Sequence, residues 1–293
     1  MMKAHVIGNA ALDETLRVAD FPQPGASIFG EALSQDLGGK GVNQAVAIAR
    51  TGLTCRLVAA VGQDARGREI AARLAAEPLA AELITLPVAS DRSLILMAGH
   101  GENAVITTRA AASVMTPEHV EKALADARPG DLLVLQGNLQ LATTHAALIA
   151  ARARGLRTAL NPSPLDGDMA SLLPLVDCVF VNEGEARLLG GSEALRAAGV
   201  SEVVVTLGGR GAVLHHAGRA VEVPARPVAI VDTTGAGDCF MAVALASAGL
   251  RGTRLDARAL RHATEAAALT VSRPGTVAAF PDAAQMLAIL AQD

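Results

Sequence analysis

The segment DTTGAGD, residues 232–238, places small residues between two acids and directly before a long apolar run. Gly235, Ala236 and Gly237 would let an anion approach the free backbone N–H groups of the helix that this run predicts. Asp238 would lie in the first turn of that helix, where a carboxylate can take a proton from an attacking hydroxyl. Any one of these residues alone is more often a helix cap, but the whole run predicts an anion site beside a general base.

A second glycine-rich segment, LGGKG at residues 37–41, also precedes a predicted helix. Lys40 and Asn43 offer hydrogen-bond donors there, so the segment predicts a second polar pocket. It is not a Walker A loop, because no glycine lies five residues before the Gly-Lys pair and Gly41 replaces the required Ser or Thr. It is not a dinucleotide fingerprint either, because it does not directly follow the first predicted strand. Gly8, at the end of that strand, lacks the GxGxxG continuation.

Two further loops, VNEGE at residues 181–185 and TLGGRG at 206–211, each follow an apolar strand. Ligands of open α/β sheets collect at the carboxyl ends of strands, which is where these loops would lie. Asn182 and Glu185 could order a hydrated Mg²⁺, and the glycine loop could admit a nucleotide. The alternative for each loop, a helix-capping pair and a hairpin turn, stays open from the residues alone. Asp13 would lie at the same edge.

These candidate residues need a scaffold, and the chain predicts an α/β protein with a mostly parallel sheet. From residue 4 onward, short apolar runs alternate with segments of helical period, as in βαβ units. Strands are predicted at residues 4–8, 55–61, 132–136, 157–161, 178–182 and 202–207, with a hairpin that turns at 217–219. Helices are predicted at residues 42–49, from 117, at 143–154, 236–248, 256–271 and 282–290.

Two segments, residues 15–34 and 92–108, break this alternation. In the second, SLILMAG and AVITT flank residues 100–103 like the strands of a hairpin. No repeat, linker or low-complexity tract separates either segment from the rest, which predicts a single domain over residues 1–293 with a small β-sheet lid inserted into it. An exposed edge of the lid sheet predicts a homodimer through the lid.

Composition excludes several classes of protein. With 293 residues, 51% of them hydrophobic, the chain can build a large core. A net charge of -4, 2% aromatic residues and no Trp or Tyr disfavour a nucleic-acid partner. The apolar runs are too short to span a membrane, and the first residues lack a secretory signal, which predicts a cytoplasmic protein. Three widely separated cysteines favour buried, reduced thiols over disulfides or zinc ligands.

Six motifs resemble, in this order, those of the PfkB family of carbohydrate kinases, and the ribokinases among them most closely: GNAALD, GGKGVNQA, LNPSP, VNEGE, TLGGRG and DTTGAGD. They span nearly the whole chain. The resemblance implies a three-layer α/β/α ribokinase-like fold with a β-sheet lid. It also implies in-line transfer of the γ-phosphoryl group of ATP to a primary hydroxyl of a sugar, with Mg²⁺ and a monovalent cation such as K⁺.

The resemblance implies a role for each matching residue. The base would be Asp238, and the anion hole Gly235, Ala236 and Gly237. The sugar would contact Asp13, Gly39, Lys40, Asn43, Asn138 and Asp238. The nucleotide would contact Asn182, Thr206, Gly208, Gly209, Gly211, Gly237 and Thr264. Mg²⁺ would be held through Glu185, and the monovalent cation near Asp232, Thr234, Thr270, Arg273 and Gly275, through several backbone carbonyls.

Four positions depart from the ribokinase pattern. Ala11 replaces a common Asn, Asn138 a Glu, Thr264 a frequent His on the adenine side, and Ala279 a Ser. Losing one buried hydrogen bond to a sugar hydroxyl can cost about 1–3 kcal/mol. The resemblance favours a pentose as the acceptor, and these departures leave a nucleoside, another sugar or a sugar acid open as alternatives. A nucleotide-dependent oxidoreductase lacks its fingerprint, and a non-catalytic sugar sensor is disfavoured by the intact base and anion site.

Overall fold

The computed structural model describes residues 2–99 and 103–293, so the predicted hairpin turn at 100–102 lies outside the described residues. The strands are β1 (Ala4–Asn9), β2 (Ala11–Val18), β3 (Gly30–Gly38), β4 (Cys55–Gly62), β5 (Ala80–Leu86), β6 (Asp91–Ala98), β7 (Asn103–Thr107), β8 (Leu132–Gln136), β9 (Arg157–Asn161), β10 (Cys178–Asn182), β11 (Glu202–Thr206), β12 (Ala212–His216) and β13 (Arg219–Val223). The helices are α1 (Lys40–Arg50), α2 (Ala65–Leu74), α3 (Pro117–Ala123), α4 (Leu141–Ala153), α5 (Glu183–Leu188), α6 (Gly191–Ala197), α7 (Ala236–Leu250), α8 (Ala257–Val271) and α9 (Ala283–Leu290).

The large sheet has the strand order β13-β12-β11-β10-β9-β8-β1-β4-β5. All neighbours from β5 through β11 are parallel, and β12 and β13 close one edge as antiparallel strands. The sequence predicted every strand of this sheet except β5. Strand β5 lies at the other edge and is half-exposed, so its apolar residues do not form the continuous run typical of a buried parallel strand.

Helices cover both faces of the large sheet, which confirms the three-layer α/β/α prediction. Successive side chains of a strand point to opposite faces, so Val6 of β1 packs into one core and Ile7 into the other. The first core takes the apolar faces of α1, α7, α8 and α9, and the second takes those of α3 and α4. Helix α7 is buried along almost its whole length, so the sheet and its neighbours hold it rigidly.

The small sheet has the strand order β3-β2-β6-β7 and takes its strands from the two segments predicted as a lid, so it is called the lid sheet, or the lid, below. Strands β2 and β6 are parallel, and β3 and β7 pair antiparallel with them. Only Ala10 separates β1 of the large sheet from β2 of the small one, so the lid begins at Ala11, earlier than the predicted residue 15. Asp13 therefore lies on the lid sheet itself, and the two sheets meet where the main sheet's first strand ends.

Two other expectations concern membranes and thiols. Within the described residues, no helix combines the length and the apolar character that crossing a bilayer requires. The three cysteines are free and buried, as expected for structural thiols. Burial raises the pKa of the Cys55 and Cys239 thiols to about 12, so both stay uncharged at neutral pH.

Candidate active site

Polar side chains end five parallel strands of the large sheet, and all of these ends lie along one edge. They are Asn9, Gln136, Asn161, Asn182 and Thr206. A backbone edge of this kind is where open α/β sheets bind their ligands. The glycine-rich segment before α1 and the start of α7 lie beside it, because Asn9 Oδ1 accepts the Gly41 N–H at 3.2 Å and α1 packs against α7.

Asp238 lies in the first turn of α7 and is buried, with a hydrogen-bond donor on each carboxylate oxygen. Asn43 donates its Nδ2 to Oδ2 at 2.9 Å, and Gln44 donates its Nε2 to Oδ1 at 2.9 Å. The Lys40 ammonium lies 3.8 Å from Oδ1. Helix α1 therefore supplies a cation and two amides to a single carboxylate, and these contacts fix the position of both of its oxygens.

The start of α7 is shaped to leave its backbone accessible. Gly235 caps the helix in the left-handed conformation, with φ 73°, and a Cβ there would come within 3.0 Å of both Phe280 and Thr276. A Cβ on Gly237 would meet no atom within 4 Å, so the space in front of that residue is open. The first N–H groups of a helix have no acceptor within the helix, and the predicted anion hole has the open approach that an anion needs.

Three of the predicted sugar contacts carry buried oxygens that lack partners. The Oδ1 atoms of Asp13, Asn43 and Asn138 are inaccessible to solvent and form no hydrogen bond with any described residue. Native proteins leave few buried polar atoms unpaired, and those that remain call for an explanation such as a ligand. A ligand rich in hydroxyl groups would supply the missing donors, as a sugar does.

Asp13 is held between the lid and the segment that precedes α9. Thr276 donates its Oγ1 hydrogen to Asp13 Oδ2 at 2.9 Å. On the facing strand β3, a Cβ on Gly38 would lie 2.1 Å from the carboxylate carbon, so only glycine leaves room for this side chain. Burial raises the pKa of the Asp13 carboxyl to about 6. The hydroxyl groups of Ser93 and Thr276 oppose this shift, and the negative charges of Asp36 and Asp238 add to it.

The residues predicted for a monovalent cation come together only in part. Asp232 accepts the Thr234 N–H at 2.9 Å and the Gly275 N–H at 3.1 Å, and Thr234 Oγ1 is buried without a partner among the described residues. The side chains of the other two residues have different partners. Thr270 Oγ1 donates to Ala266 within α8, and Arg273 donates to Gln285. These two side chains are therefore engaged elsewhere, and a role of the backbone carbonyls in holding a cation stays a prediction.

A cavity of about 370 Å³ opens in front of the α7 N-terminus. Most of the predicted nucleotide contacts line it, namely Thr206, Gly208, Gly209, Gly211, Gly237 and Thr264. Its other walls are mainly apolar and include Pro227, Val228, Ile230, Phe240, Ala267 and Val271. Gly211 is required there, because it has φ 101° and a Cβ would lie 2.0 Å from the Val223 carbonyl oxygen. The cavity suits a flat, apolar ring with its polar end toward α7.

Asn182 and Glu185 lie outside the lining of this cavity and form a capping box at the start of α5. Asn182 Oδ1 accepts the Glu185 N–H at 2.8 Å, and Glu185 Oε2 accepts the Asn182 N–H at 2.9 Å. The capping alternative considered from the sequence is therefore present in the structure. Within residues 2–99 and 103–293, no group of three or more His, Cys, Asp or Glu side chains could hold a metal ion by itself.

Sequence reasoning missed three side chains that the structure places at the site. Gln44 lies inside the glycine-rich motif but had no assigned role, Gln136 ends β8, and Thr276 follows Gly275. Gln136 donates to Gln44 at 2.7 Å, and Thr276 donates to Asp13 as described above. Only the position of Gln44 beside Asn43 could have drawn attention to it.

Comparison with known proteins gives a consistent result along the whole chain. The pfkB family carbohydrate kinase profile matches residues 1–283. A ribokinase of Haemophilus influenzae is 29% identical over 97% of this chain and 97% of its own length. A deoxyribokinase of Salmonella typhi is 28% identical over 97% of each chain.

Solved structures show the same fold. A ribokinase from Thermotoga maritima superposes with a TM-score of 0.86 at 26% identity, covering 100% of both chains. A ribokinase from Arabidopsis thaliana complexed with ribose and ATP superposes with a TM-score of 0.80 at 25% identity, covering 100% of this chain and 99% of that one. The central sheet, its helices and the separate small sheet are therefore those of a ribokinase-like protein.

Proposed function

The chain belongs to the PfkB family of carbohydrate kinases and is an ATP-dependent carbohydrate kinase, and from this premise we propose that it phosphorylates a primary hydroxyl of a pentose, with Asp238 as the catalytic base. One observation carries the proposal. Asp238 is held by two amides at the N-terminus of α7, between an open nucleotide-sized cavity and a group of buried, unpaired oxygens.

The proposed reaction is an in-line displacement at the γ-phosphorus of ATP. Asp238 takes the proton of the acceptor hydroxyl as its oxygen attacks, and the bond from phosphorus to the β,γ-bridging oxygen breaks to release ADP. Backbone N–H groups at residues 235–237 and the positive end of α7 stabilise the charge on the transferring group. The lid, through Asp13, holds the acceptor so that its hydroxyl faces both Asp238 and the phosphate.

Mg²⁺ would enter this site as a partner of the nucleotide. Mg²⁺ prefers phosphate, water and one or two carboxylates, and Glu185 is the carboxylate predicted to reach its hydration shell. When bound, Mg²⁺ neutralises charge on the phosphates. A monovalent cation also fits, because Thr234 Oγ1 is a buried oxygen without a partner among the described residues, next to Asp232. That cation would order the segment that leads into the α7 N-terminus.

The acceptor is proposed as a pentose because the relatives described above include a ribokinase and a deoxyribokinase, and one ribokinase structure contains ribose. The acceptor side nevertheless differs from the ribokinase pattern at Ala11 and Asn138. Those two positions are the reason to test nucleosides, hexoses and sugar acids beside pentoses. An ADP-release assay over this panel, with and without K⁺, identifies the acceptor.

The base is tested with Asp238→Asn, which keeps the shape of the side chain and removes its proton affinity. We expect kcat to fall about 1,000-fold or more, within the range that general base catalysis supplies, while ATP binding measured by calorimetry is retained. The Lys122→Met variant, on the distant surface helix α3, is the matched control and should turn over normally. Unimpaired turnover in Asp238→Asn would disprove the assignment.

We also propose that the lid mediates a homodimer. Large apolar side chains of the lid segments are exposed, namely Ile28, Phe29, Leu33, Val105 and Ile106. Exposed apolar patches of this kind mark association surfaces. Sedimentation velocity of Phe29→Asp and Ile106→Asp should show monomers where the wild type is dimeric. Leu188→Asp, an exposed apolar position on α5, should leave the dimer intact. A monomeric wild type at micromolar concentration would contradict the proposal.

A further inference from the structure

Two glutamine side chains are buried completely between α1 and the large sheet, and they form a chain that ends on Asp238. Gln136, at the end of β8, donates its Nε2 to Gln44 Oε1 at 2.7 Å. Gln44 donates its own Nε2 to Asp238 Oδ1 at 2.9 Å. Both glutamines have no solvent-accessible surface. The carboxylate on α7 is thereby connected through two amides to the centre of the sheet.

The carboxylate dictates the direction of this chain. An ionised carboxylate can only accept hydrogen bonds, so Gln44 must present its NH₂ group to Asp238 and its oxygen to Gln136. Gln136 must then present its own NH₂ group to that oxygen. If Gln136 were turned over, two amide oxygens would face each other, and Gln44 could relieve the repulsion only by turning its oxygen toward Asp238. Gln136 therefore fixes the orientation of Gln44.

This arrangement is expensive for a role in stability alone. Buried amides cost free energy unless every polar atom is paired, and Gln136 Oε1 has no partner among the described residues. Gln136 also depends on the glycine at position 8, in β1, because a Cβ there would lie 2.0 Å from its Oε1 atom. Apolar side chains of similar size would fill the same volume without an unpaired atom.

The two residues that hold Asp238 divide their tasks. Asn43 binds Oδ2 and has an unpaired Oδ1, so it can also bind an acceptor hydroxyl. Gln44 has both its oxygen and its nitrogen bonded within the protein and no surface exposed. It can influence the reaction only through Asp238.

We propose that Gln44 is a positioning residue, which holds the carboxylate of Asp238 in the orientation that faces the acceptor hydroxyl, and that Gln136 acts through Gln44. This inference rests on the proposed role of Asp238 as the base. It predicts an effect on turnover with little effect on the binding of either substrate, because both polar atoms of Gln44 are bonded within the protein and neither glutamine has accessible surface.

The test uses Gln44→Met and Gln136→Met, which keep the side-chain length and remove the amide. We expect Gln44→Met to lower kcat about 10- to 100-fold, since hydrogen bonds to charged groups are the stronger ones, and to change both KM values less than about twofold. Gln136→Met should lower kcat about 3- to 10-fold, because Gln44 loses only its orientation. The double variant should be no slower than Gln44→Met by more than about twofold, since both act along one path.

The control is Ile48→Val, a buried truncation on the same helix α1, which should lower the melting temperature and leave kcat unchanged. If Gln44→Met does not fold, Gln44→Asn withdraws the amide by one methylene and should show the same loss of kcat. The proposal is overturned if the folded Gln44 variant keeps wild-type kcat, or if the losses of the two single variants multiply in the double variant.

The same assays distinguish the positioning role of Gln44 from the role of Asp238 as the catalytic base. In an Asp238→Asn background, Gln44→Met should cause no further loss, because there is no base left to aim. If Asp238→Asn itself turned over normally, the proposed base would be wrong whatever Gln44 does. If Asp238→Asn is inactive and Gln44→Met is fully active, only the positioning role is wrong.

Discussion

The proposed nucleotide end and the proposed acceptor end of the site are formed by different kinds of groups. The nucleotide end is a cavity walled by apolar side chains and glycine backbone, open to the first N–H groups of α7. The acceptor end is a set of buried polar side chains, held by the lid and by α1, with three oxygens that lack partners among the described residues. The nucleotide end would bind phosphate through backbone N–H groups, which almost every residue has. The acceptor end would bind its substrate through particular polar side chains.

This difference indicates where specificity lies. Backbone N–H groups and helix dipoles bind phosphate regardless of what it is attached to. A site that hydrogen-bonds particular hydroxyls rejects molecules that lack them, because its own buried polar groups then stay unpaired. We therefore expect substitutions at the acceptor end to change which sugar is used, and side-chain changes in the nucleotide cavity to have smaller effects.

Among the substitutions that compare the two ends of the site, Gly38→Ala at the acceptor end should have the largest effect. The added methyl group would lie 2.1 Å from the Asp13 carboxylate carbon, so that side chain must move. Displacing a substrate-positioning group by about 1 Å can cost about 100-fold, and we expect kcat/KM for the acceptor to fall by about that factor. ATP affinity, measured by calorimetry, should be retained.

Gly30→Ala on the same strand β3 is the matched control, because its nearest neighbours would be 3.5 Å from the new Cβ. It should keep wild-type activity. Equal losses in the two variants would mean that strand β3, and not the space beside Asp13, was disturbed, and would remove this support for the acceptor pocket.

Asn138→Ala should weaken binding of the acceptor and leave binding of ATP unchanged. Removing a buried acceptor from a sugar hydroxyl costs about 1–3 kcal/mol, so KM for the acceptor should rise about 10- to 100-fold. KM for ATP should stay constant, since Asn138 is absent from the lining of the nucleotide cavity. Steady-state kinetics with each substrate varied in turn measures both values. A parallel rise in KM for ATP would show that the two ends are not separate.

Acceptor affinity should depend on pH, because burial raises the pKa of Asp13 to about 6. Below that pH Asp13 becomes protonated and loses capacity to accept hydroxyl hydrogens, so acceptor affinity should weaken about tenfold between pH 8 and pH 5. The free energy of unfolding should move in the opposite direction. The folded state binds this proton more tightly than the unfolded state, so the contribution of Asp13 to stability falls as the pH rises from about 4 to about 6.

Asp13→Asn is the control for that measurement. Its acceptor affinity should be low and nearly independent of pH over the same interval, while the charged groups that face Asp13 from β3 and α7, Asp36 and Asp238, remain. Acceptor titrations by calorimetry at several pH values make the comparison. An unchanged pH dependence in Asp13→Asn would assign the titration to another group.

The smallest effect is expected from Thr264→Val in the nucleotide cavity. Thr264 Oγ1 already donates to the Leu260 carbonyl oxygen of its own helix at 2.8 Å, and valine has nearly the same shape. We expect KM for ATP to change less than about threefold, because the Thr264 hydroxyl is already bonded within its helix and is not needed to bind the adenine ring. A tenfold loss of ATP affinity would contradict this difference between the two ends, because a particular polar side chain would then be needed to bind the nucleotide.

Local patterns predicted most of the fold and the helix start at which a phosphate is proposed to bind. The DTTGAGD run predicted a helix that begins with small residues and an acid, and α7 begins at Ala236 with Asp238 in its first turn. The hairpin of β12 and β13 also followed from alternation and turn residues. Both rest on interactions between residues close in sequence, which propensity and spacing record directly.

The limits of local reasoning appear at the junction of the two sheets. Strands β1 and β2 are separated by a single residue, and nothing in their composition marks the point where the chain leaves one sheet for the other. The edge strand β5 was missed for a similar reason, since its half-exposed residues lack a clear period. Which strand joins which sheet is decided by packing partners far away in the chain.

Local residue patterns predicted a helix start suited to phosphate with an acid beside it, and a second polar pocket before another helix. The tertiary structure alone decided what surrounds that acid and the sugar-side carboxylate. Gln136 meets Gln44 across 92 residues, Gln44 meets Asp238 across 194, and Thr276 meets Asp13 across 263. Contacts over such distances depend on how helices and sheets pack, and no local pattern of residue types encodes them.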